Sequence, residues 1–220
     1  PNLHTCRFGK FLYLGVMDLD HGGLRERKKQ ETRIALSWAA IRLTVERGLD
    51  NVRIEDIAAE AGVSTRTFSN YFGSKGEAIA ARQYDRSRAI AAALRERPAG
   101  EPLWEAITHA VLTGFALGER GHTPDQAWIE GVRLMVAEPA LQGEMHKAVT
   151  AGEAEFALAV AERTGTDAGT DVYPQLVAAV VGAAHHVVIQ QWLGTEPPPS
   201  METLLRDVFG RLAAGLPEPR

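Results

Sequence analysis

The chain has 220 residues, of which 45% are hydrophobic and 24% are charged, and this balance is typical of a globular protein with a substantial core. Its single cysteine excludes an internal disulfide framework and a cysteine zinc site, and it favours a reducing, cytoplasmic setting. No apolar run is recognised that approaches the roughly 20 residues of a membrane helix, so no membrane partner is expected.

The net charge of −4 is unevenly distributed along the chain. Residues 24–88 carry 13 Lys and Arg against 9 Asp and Glu, whereas residues 89–220 carry 9 against 17. This asymmetry indicates a basic module that contacts phosphate, joined to an acidic body that does not.

Residues 1–23 contain none of the helical patterns or motifs that are recognised in the rest of the chain. The apolar run at 11–17 leads into Asp18 and Asp20 without a small-residue cleavage pattern, which is not typical of a signal peptide. We predict an N-terminal extension here: either a flexible arm, or residues that precede a natural start at Met17.

The first predicted helix covers residues 24–47 and ends at Gly48. Its apolar stripe has helical spacing and consists of Ile34, Trp38, Ile41 and Val45. The first turns are basic, with Arg27, Lys28 and Arg33. Cations at a helix N-terminus oppose the macrodipole, so phosphate contact is preferred to a merely solvated face.

Residues 52–75 predict two short helices joined by a tight turn. The first helix buries a stripe with helical spacing: Ile54, Ile57, Ala58 and Ala61. Gly62 breaks this helix and Ser64 stands where an N-cap belongs. The second helix, predicted to be nine residues long, buries Phe68 and Phe72 and presents polar side chains outward. Such a helix suits insertion into a DNA major groove.

The remainder of the chain predicts further helices and no strand. A connecting helix at 76–97 is followed by segments separated at proline- and glycine-rich breaks: 103–117, 125–137, 140–164, 174–193 and 200–215. The segment at 174–193 is apolar nearly all round, so it requires cover on all sides from a core or a subunit interface. The last segment has an apolar stripe that suits packing beside it.

The residues IleAlaAlaGluAlaGlyValSer at 57–64, ThrPheSerAsnTyrPhe at 67–72 and SerLys at 74–75 resemble the signature of the tetracycline-repressor (TetR) family. The resemblance implies an all-α homodimer of about nine helices per chain. It implies a three-helix DNA-binding domain at 24–75, and a ligand-binding and dimerisation domain at 76–220 that dimerises through its last two helices.

The C-terminal half is similar to one branch of that family. ArgLeuMetValAlaGluProAlaLeu at 133–141, AlaGluArgThrGly at 161–165 and ProGlnLeuValAlaAlaValValGlyAlaAla at 174–184 resemble mycofactocin-regulator-like proteins. That branch implies an acyl-CoA-like ligand, although an acidic body is poorly suited to a polyanionic CoA.

Candidate DNA contacts lie on the first helix and on the helix-turn-helix. Arg66 is expected to read a guanine, because a guanidinium pairs with its O6 and N7. The resemblance implies phosphate contacts for Thr67, Tyr71 and Lys75. Arg53 stands where the family has a Thr or Ser cap, and we expect it to contact phosphate instead. The full set is Arg27, Lys28, Arg33, Arg53, Thr65, Arg66, Thr67, Asn70, Tyr71 and Lys75.

Candidate ligand contacts are bulky or polar side chains on the C-terminal helices, for each of which ordinary core packing is the alternative. They are Trp104, His109, Phe115, Trp128, Arg133, Met135, Phe156, His185 and His186. Adjacent histidines on a helix point about 100° apart, so His185 and His186 are not expected to share a metal, and no metal site or cofactor is predicted.

No enzyme motif is found, neither a GxSxG elbow, an HExxH, a glycine-rich phosphate loop nor a CxxC. The leading hypothesis is a repressor that binds a near-palindromic operator as a dimer and is released by a small hydrophobic or aromatic ligand. Constitutive or activating regulators are alternatives within the same class. A cytosolic ligand-sensing or enzymatic helical bundle without sequence-specific DNA binding, or a purely structural dimer module, is the alternative from another class.

Overall fold

The computed structural model describes residues 23–119 and 126–218, and within these ranges every regular element is helical. The described elements are a 3-10 turn at Leu49–Asn51 and nine α-helices: α1 Leu24–Arg47, α2 Ile54–Glu60, α3 Thr65–Ser69, α4 Lys75–Arg95, α5 Leu103–Glu119, α6 Gln126–Ala137, α7 Pro139–Thr164, α8 Val172–Gly194 and α9 Met201–Ala213. The all-α class is therefore confirmed. The predicted N-terminal extension lies outside the described residues, apart from Gly23.

The helices pack into two compact units. The first comprises the described residues of Pro1–Arg82 and Ala116–Met135, and the second comprises Gln83–Phe115 and Val136–Arg220. Helix α4 contributes residues to both units.

Helix α3 is shorter than predicted. It has five α-helical residues, Thr65–Ser69, where the sequence pattern predicted nine. The Asn70 N–H is shared between the carbonyls of Arg66 and Thr67, and the Tyr71 N–H donates to the Phe68 carbonyl three residues back. Contacts of this kind tighten the last turn of a helix, so the chain leaves the α conformation early.

Helix α8 corrects two expectations. It begins at Val172, before Pro174, because a proline is tolerated in the first helical turn, where its missing N–H has no intrahelical partner. The expectation that no apolar run is long enough to cross a membrane is wrong, since Val172–Gly194 has 23 residues and contains an 18-residue window with a mean hydropathy of 1.5. Core helices of soluble proteins share this length and composition, so the finding alone does not assign a membrane span.

The core of the first unit is built where α1, α2 and α3 meet. Leu36, Ile57 and Phe68 have no exposed surface. The periodicity of their helices predicted this for Ile57 and Phe68. The stripe predicted for α1 is only partly correct, because Ile41 is buried but Ile34, Trp38 and Val45 are half-buried, and the helix turns Leu36 into the core instead. Helix α6 packs on α1 in the same unit through Gly131, whose ideal Cβ position lies 2.5 Å from the Val45 carbonyl oxygen. Only a residue without a side chain permits this approach.

The second unit has its own core, formed by residues of α4, α5, α7, α8 and α9. Its fully buried side chains include Leu94, Ile107, Val160, Val188 and Phe209. The predicted stripe of the last helix packs against α8 here, so that prediction is confirmed.

Candidate nucleic-acid interface

The turn between α2 and α3 is closed by two backbone hydrogen bonds. The Val63 N–H donates to the Ala58 carbonyl at 2.9 Å and the Gly62 N–H donates to the Ala59 carbonyl at 3.1 Å. This is the hydrogen-bond pattern of a Schellman motif, and Gly62 has the positive φ of 70° that the motif requires. The turn therefore holds α3 in a defined direction relative to α2.

Helix α3 is fixed at its start and along its inner face. The Ser64 Oγ accepts the Thr67 N–H at 3.1 Å, which confirms the predicted N-cap. Phe68 and Phe72 are buried with their ring centroids 5.8 Å apart. Because the inner side chains are immobilised by packing, the outward face is presented on a rigid support.

The outward face of α3 and of the turn after it is polar. Thr65, Arg66 and Asn70 are exposed, and Thr67 and Tyr71 are half-buried. The Thr67 hydroxyl lies 2.9 Å from the Ser64 Oγ, so it takes part in the cap as well as standing beside the exposed residues. The structure thus brings together the five residues on this segment that the sequence analysis selected.

Arg53 precedes α2 and is exposed. An arginine has no acceptor for the N–H groups of the first turn, so it cannot replace the Thr or Ser cap. The Asp56 carboxylate accepts the Arg53 backbone N–H at 3.0 Å, which supplies the return half of a capping box. The guanidinium of Arg53 is therefore not needed to form the helix.

Lys75 has a role that the sequence did not reveal. Its Nζ donates to the Leu49 carbonyl at 2.6 Å and to the Val52 carbonyl at 3.0 Å. Two of the three N–H donors of the ammonium are thus used to hold the start of α4 against the loop between α1 and α2. A phosphate contact by Lys75 stays a prediction. In the structure, Lys75 anchors the start of α4 to the loop between α1 and α2.

The basic residues of α1 divide into two groups. Arg27 and Lys28 are exposed in its first turns, where a phosphate has access to them. Arg33 is half-buried, and its guanidinium carbon lies 5.5 Å from the centroid of the Phe72 ring. This cation–π contact joins α1 to the aromatic support of α3.

Comparison with known proteins decides the family. Residues 38–81 match the family described as "Bacterial regulatory proteins, tetR family", and residues 101–217 match the "MftR C-terminal domain". The second match covers more than half of the chain. The chain belongs to the TetR family. TetR-family members are non-enzymatic transcriptional regulators that bind operator DNA and are typically dimeric, so this chain is a DNA-binding regulator.

Relatives of this TetR-family regulator agree with the assignment. The HTH-type transcriptional regulator TcmR of Streptomyces glaucescens is 32% identical over 173 residues, which cover 77% of this chain and 76% of TcmR. Two solved structures of TetR-family proteins share the fold. One, from Syntrophomonas wolfei, is 20% identical, with a TM-score of 0.59 and coverage of 87% and 100% of the two chains. The other, from Rhodococcus sp., is 23% identical, with a TM-score of 0.55 and coverage of 86% and 100%.

Two of the regulator's predicted ligand contacts meet in the second unit. The rings of Phe115 and His185 lie 5.1 Å apart in an edge-on arrangement, and the Arg86 guanidinium lies 4.8 Å from the Phe115 centroid. Burial lowers the pKa of His185 to about 3, with further contributions from the charges of Arg86 and His186. His185 is therefore neutral at physiological pH.

Two other predicted contacts of the regulator, Trp104 and His109, line a groove of about 330 Å³ between α5 and α9. The His109 Nδ1 lies 2.9 Å from the Glu101 carboxylate, which also binds Arg97. Phe156 is only 4% exposed within the core, the packing alternative that the sequence analysis left open.

The remaining candidates of this TetR-family chain are spread more widely. Trp128, Arg133 and Met135 belong to α6 in the first unit, and Arg133 forms an exposed ion pair with Glu130. His186 is exposed on α8. Sequence analysis did not select Gln83 and Arg86 beside His185, because nothing in the pattern of α4 distinguishes them from other polar helix residues.

Proposed function

We propose that this TetR-family regulator is a cytoplasmic repressor that binds a near-palindromic operator as a homodimer and is released by a small hydrophobic or aromatic ligand. The observation that carries the proposal is the polar face of α3, which is exposed at Arg66 and held by buried Phe68 and Phe72. Two such helices about 34 Å apart would read two half-sites one helical turn apart.

An exposed apolar stripe on α8 supports the dimer. Leu176 and Val187 are 56% and 52% exposed, and they share one helix face with Val180 and Ala183. A contiguous row of large apolar side chains is unfavourable on a surface exposed to water, and it indicates an interface. A second copy of the same helix would cover them, whereas the exposed face of α9 carries ion pairs such as that of Arg206 with Glu202.

The charge of the C-terminal half supports a hydrophobic or aromatic effector over a polyanionic one. Residues 89–220 have a net charge of −8, and Arg133, the arginine among the predicted ligand contacts, is paired with Glu130. The effector would release DNA by binding more tightly to a conformation in which the two recognition helices have the wrong spacing. The effector can shift the equilibrium only by the difference between its affinities for this conformation and for the DNA-binding conformation.

Binding of the full chain to the DNA upstream of its own gene, compared with a scrambled duplex over a salt series, tests the proposal. Arg66→Ala should weaken binding to the specific site by about 1–3 kcal/mol and relax its sequence preference. Arg53→Ala should weaken both duplexes equally and lower the salt slope by about 1. Arg211→Ala, which removes an exposed ion pair on α9, is the matched control and should change neither.

The outcomes separate the proposed function from its alternatives. A large preference for the upstream DNA that disappears in Arg66→Ala supports a sequence-specific regulator of its own gene. Equal, steeply salt-dependent binding to both duplexes indicates phosphate attraction alone and contradicts autoregulation at this site. Absence of binding at low salt would contradict DNA recognition and favour the helical ligand-sensing bundle.

A further inference from the structure

The cluster around His185 contains a polar atom that no protein group satisfies. The His185 Nε2 is buried and has no hydrogen-bond partner among the described residues. Buried polar groups in native proteins nearly always have a partner, and one left unpaired destabilises the fold. Other buried atoms, such as the Ser37 and Thr44 hydroxyls, are also without a partner among the described residues, so the argument for a ligand depends on what surrounds the His185 Nε2.

A neighbour on α4 favours one tautomer of the neutral ring. The Gln83 Nε2 lies 3.5 Å from the His185 Nδ1, at the long end of the hydrogen-bond range. When the amide N–H donates to Nδ1, that nitrogen is an acceptor and the ring proton is on Nε2. The unpaired atom is then a donor, so its missing partner has to be an acceptor.

The remaining neighbours are an aromatic ring and a cation. Phe115 lies against the edge of the His185 ring, and Arg86 lies over Phe115. The positive charge of Arg86 favours an electron-rich or anionic oxygen nearby, while the ring of Phe115, which is 8% exposed, favours an aromatic or apolar neighbour. Both preferences can be met by a single molecule.

Close helix packing fixes the walls of this cluster. An ideal Cβ at Gly114 would lie 2.4 Å from the Ile90 side chain, and one at Gly152 would lie 2.5 Å from the Ser87 side chain. Helix α7 therefore lies unusually close to α4 at the residue after Arg86, and helix α5 does so four residues after Arg86. A site on such supports is preorganised, which reduces the entropic cost of binding.

We propose that His185, Gln83, Phe115 and Arg86 bind an aromatic ligand through a carbonyl or phenolate oxygen that accepts the His185 Nε2–H. The inference rests on the proposed ligand-responsive function and specifies the chemistry of its effector. Metal binding does not fit, because no group of three His, Cys, Asp or Glu side chains that could hold a metal occurs in the part of the chain that the structure describes.

Two probes that differ in one oxygen test the proposal by calorimetry on the full chain. 2-Acetylnaphthalene carries an acceptor carbonyl, and 2-ethylnaphthalene has a similar shape without it. The wild type should bind the ketone about tenfold more tightly, the equivalent of one hydrogen bond. His185→Leu should remove this preference while retaining the binding of 2-ethylnaphthalene.

A conservative variant and a remote control distinguish hydrogen bonding from a structural effect. His185→Gln retains an N–H donor and should restore part of the preference for the ketone. His146→Leu removes an exposed histidine of α7 and should leave the preference unchanged. Nitrogen chemical shifts of the His185 ring should show the Nε2–H tautomer in the ligand-free protein. If the ring only packed in the core, this tautomer would not be required.

Three results would overturn the inference: equal affinity of the wild type for both probes, an unchanged preference in His185→Leu, or no binding of either probe at millimolar concentration. Operator binding measured on the same preparation without probes keeps the two proposals separate. Specific DNA binding without the probe preference refutes this ligand chemistry alone, whereas the probe preference without DNA binding refutes the repressor and leaves the site in place.

Discussion

Replacement of Lys75 by methionine distinguishes two roles for the same ammonium group. Lys75→Met keeps the aliphatic stem and removes the donors to the Leu49 and Val52 carbonyls. A hydrogen bond from a charged donor contributes about 1.5–3 kcal/mol when it is buried. Because this ammonium is only partly buried, we reduce that value to about 1–2 kcal/mol for each bond. The expected loss of unfolding free energy is about 2–4 kcal/mol.

Urea and thermal unfolding of the DNA-free protein measure this loss. For a chain of this length it corresponds to a fall in Tm of roughly 4–16 °C. Lys29→Met is the matched control, since Lys29 makes an exposed contact of 3.7 Å with Glu26 and such pairs contribute little. Its unfolding free energy should stay within about 0.5 kcal/mol of wild type.

The salt dependence of DNA binding completes the test of Lys75. A variant as stable as wild type, with a salt slope lowered by about 1, would refute the anchoring role and assign Lys75 to a phosphate. Loss of stability together with an unchanged slope in the folded fraction would support an anchor alone. A loss of stability together with a salt slope lowered by about 1 would show that the third N–H donor reaches the DNA.

Three further predictions concern packing, pH and assembly. Gly131→Ala places a Cβ against a backbone carbonyl of α1 and should cost about 1–3 kcal/mol in urea unfolding. At Gly143 an ideal Cβ meets no atom within 4 Å, so Gly143→Ala should instead stabilise α7 by about 0.5–1 kcal/mol. Equal changes in the free energy of unfolding for the two variants would contradict the close packing at Gly131. The pKa of His185 is lowered to about 3 in the folded chain, whereas the ordinary pKa of histidine is 6.5. As the pH falls below 6.5, the unfolded chain is therefore protonated at this residue before the folded chain is. Wild-type stability should therefore fall more steeply between about pH 6 and 5 than that of His185→Gln, by up to about 1.4 kcal/mol per pH unit, and parallel curves would refute this. Val187→Glu should yield monomers in analytical ultracentrifugation, whereas Leu134→Glu, at a leucine of α6 that is 64% exposed, should not; a dimeric Val187→Glu would place the interface elsewhere.

Local interactions explain why so much of the helical framework follows from sequence. Helix α1 begins and ends as its periodicity and Gly48 predict, since both depend on residues within one or two turns. The tight turn at Gly62 and the cap at Ser64 depend on hydrogen bonds between residues at most five positions apart. The polar face of α3 then follows from the burial of its two phenylalanines.

The length of α3 and the exposed stripe of α8 were harder to predict. Residues Asn70 and Tyr71 continue the helical pattern in sequence, yet the Asn70 N–H is shared between carbonyls three and four residues back, and the Tyr71 N–H bonds three residues back. Composition showed that α8 is apolar nearly all round, but it did not show which face stays exposed at Leu176 and Val187. That depends on how α7 and α9 pack beside it.

The sequence by itself determined the family, the all-α class and the helix-turn-helix, because these depend on short-range spacing and on a recognisable signature. Only the tertiary structure decided the partners of polar groups that bond between elements distant in sequence. Lys75 bonds to carbonyls 23 and 26 residues away, and Gln83 approaches His185 across 102 residues. Such contacts arise from the packing of whole helices, which no local pattern specifies.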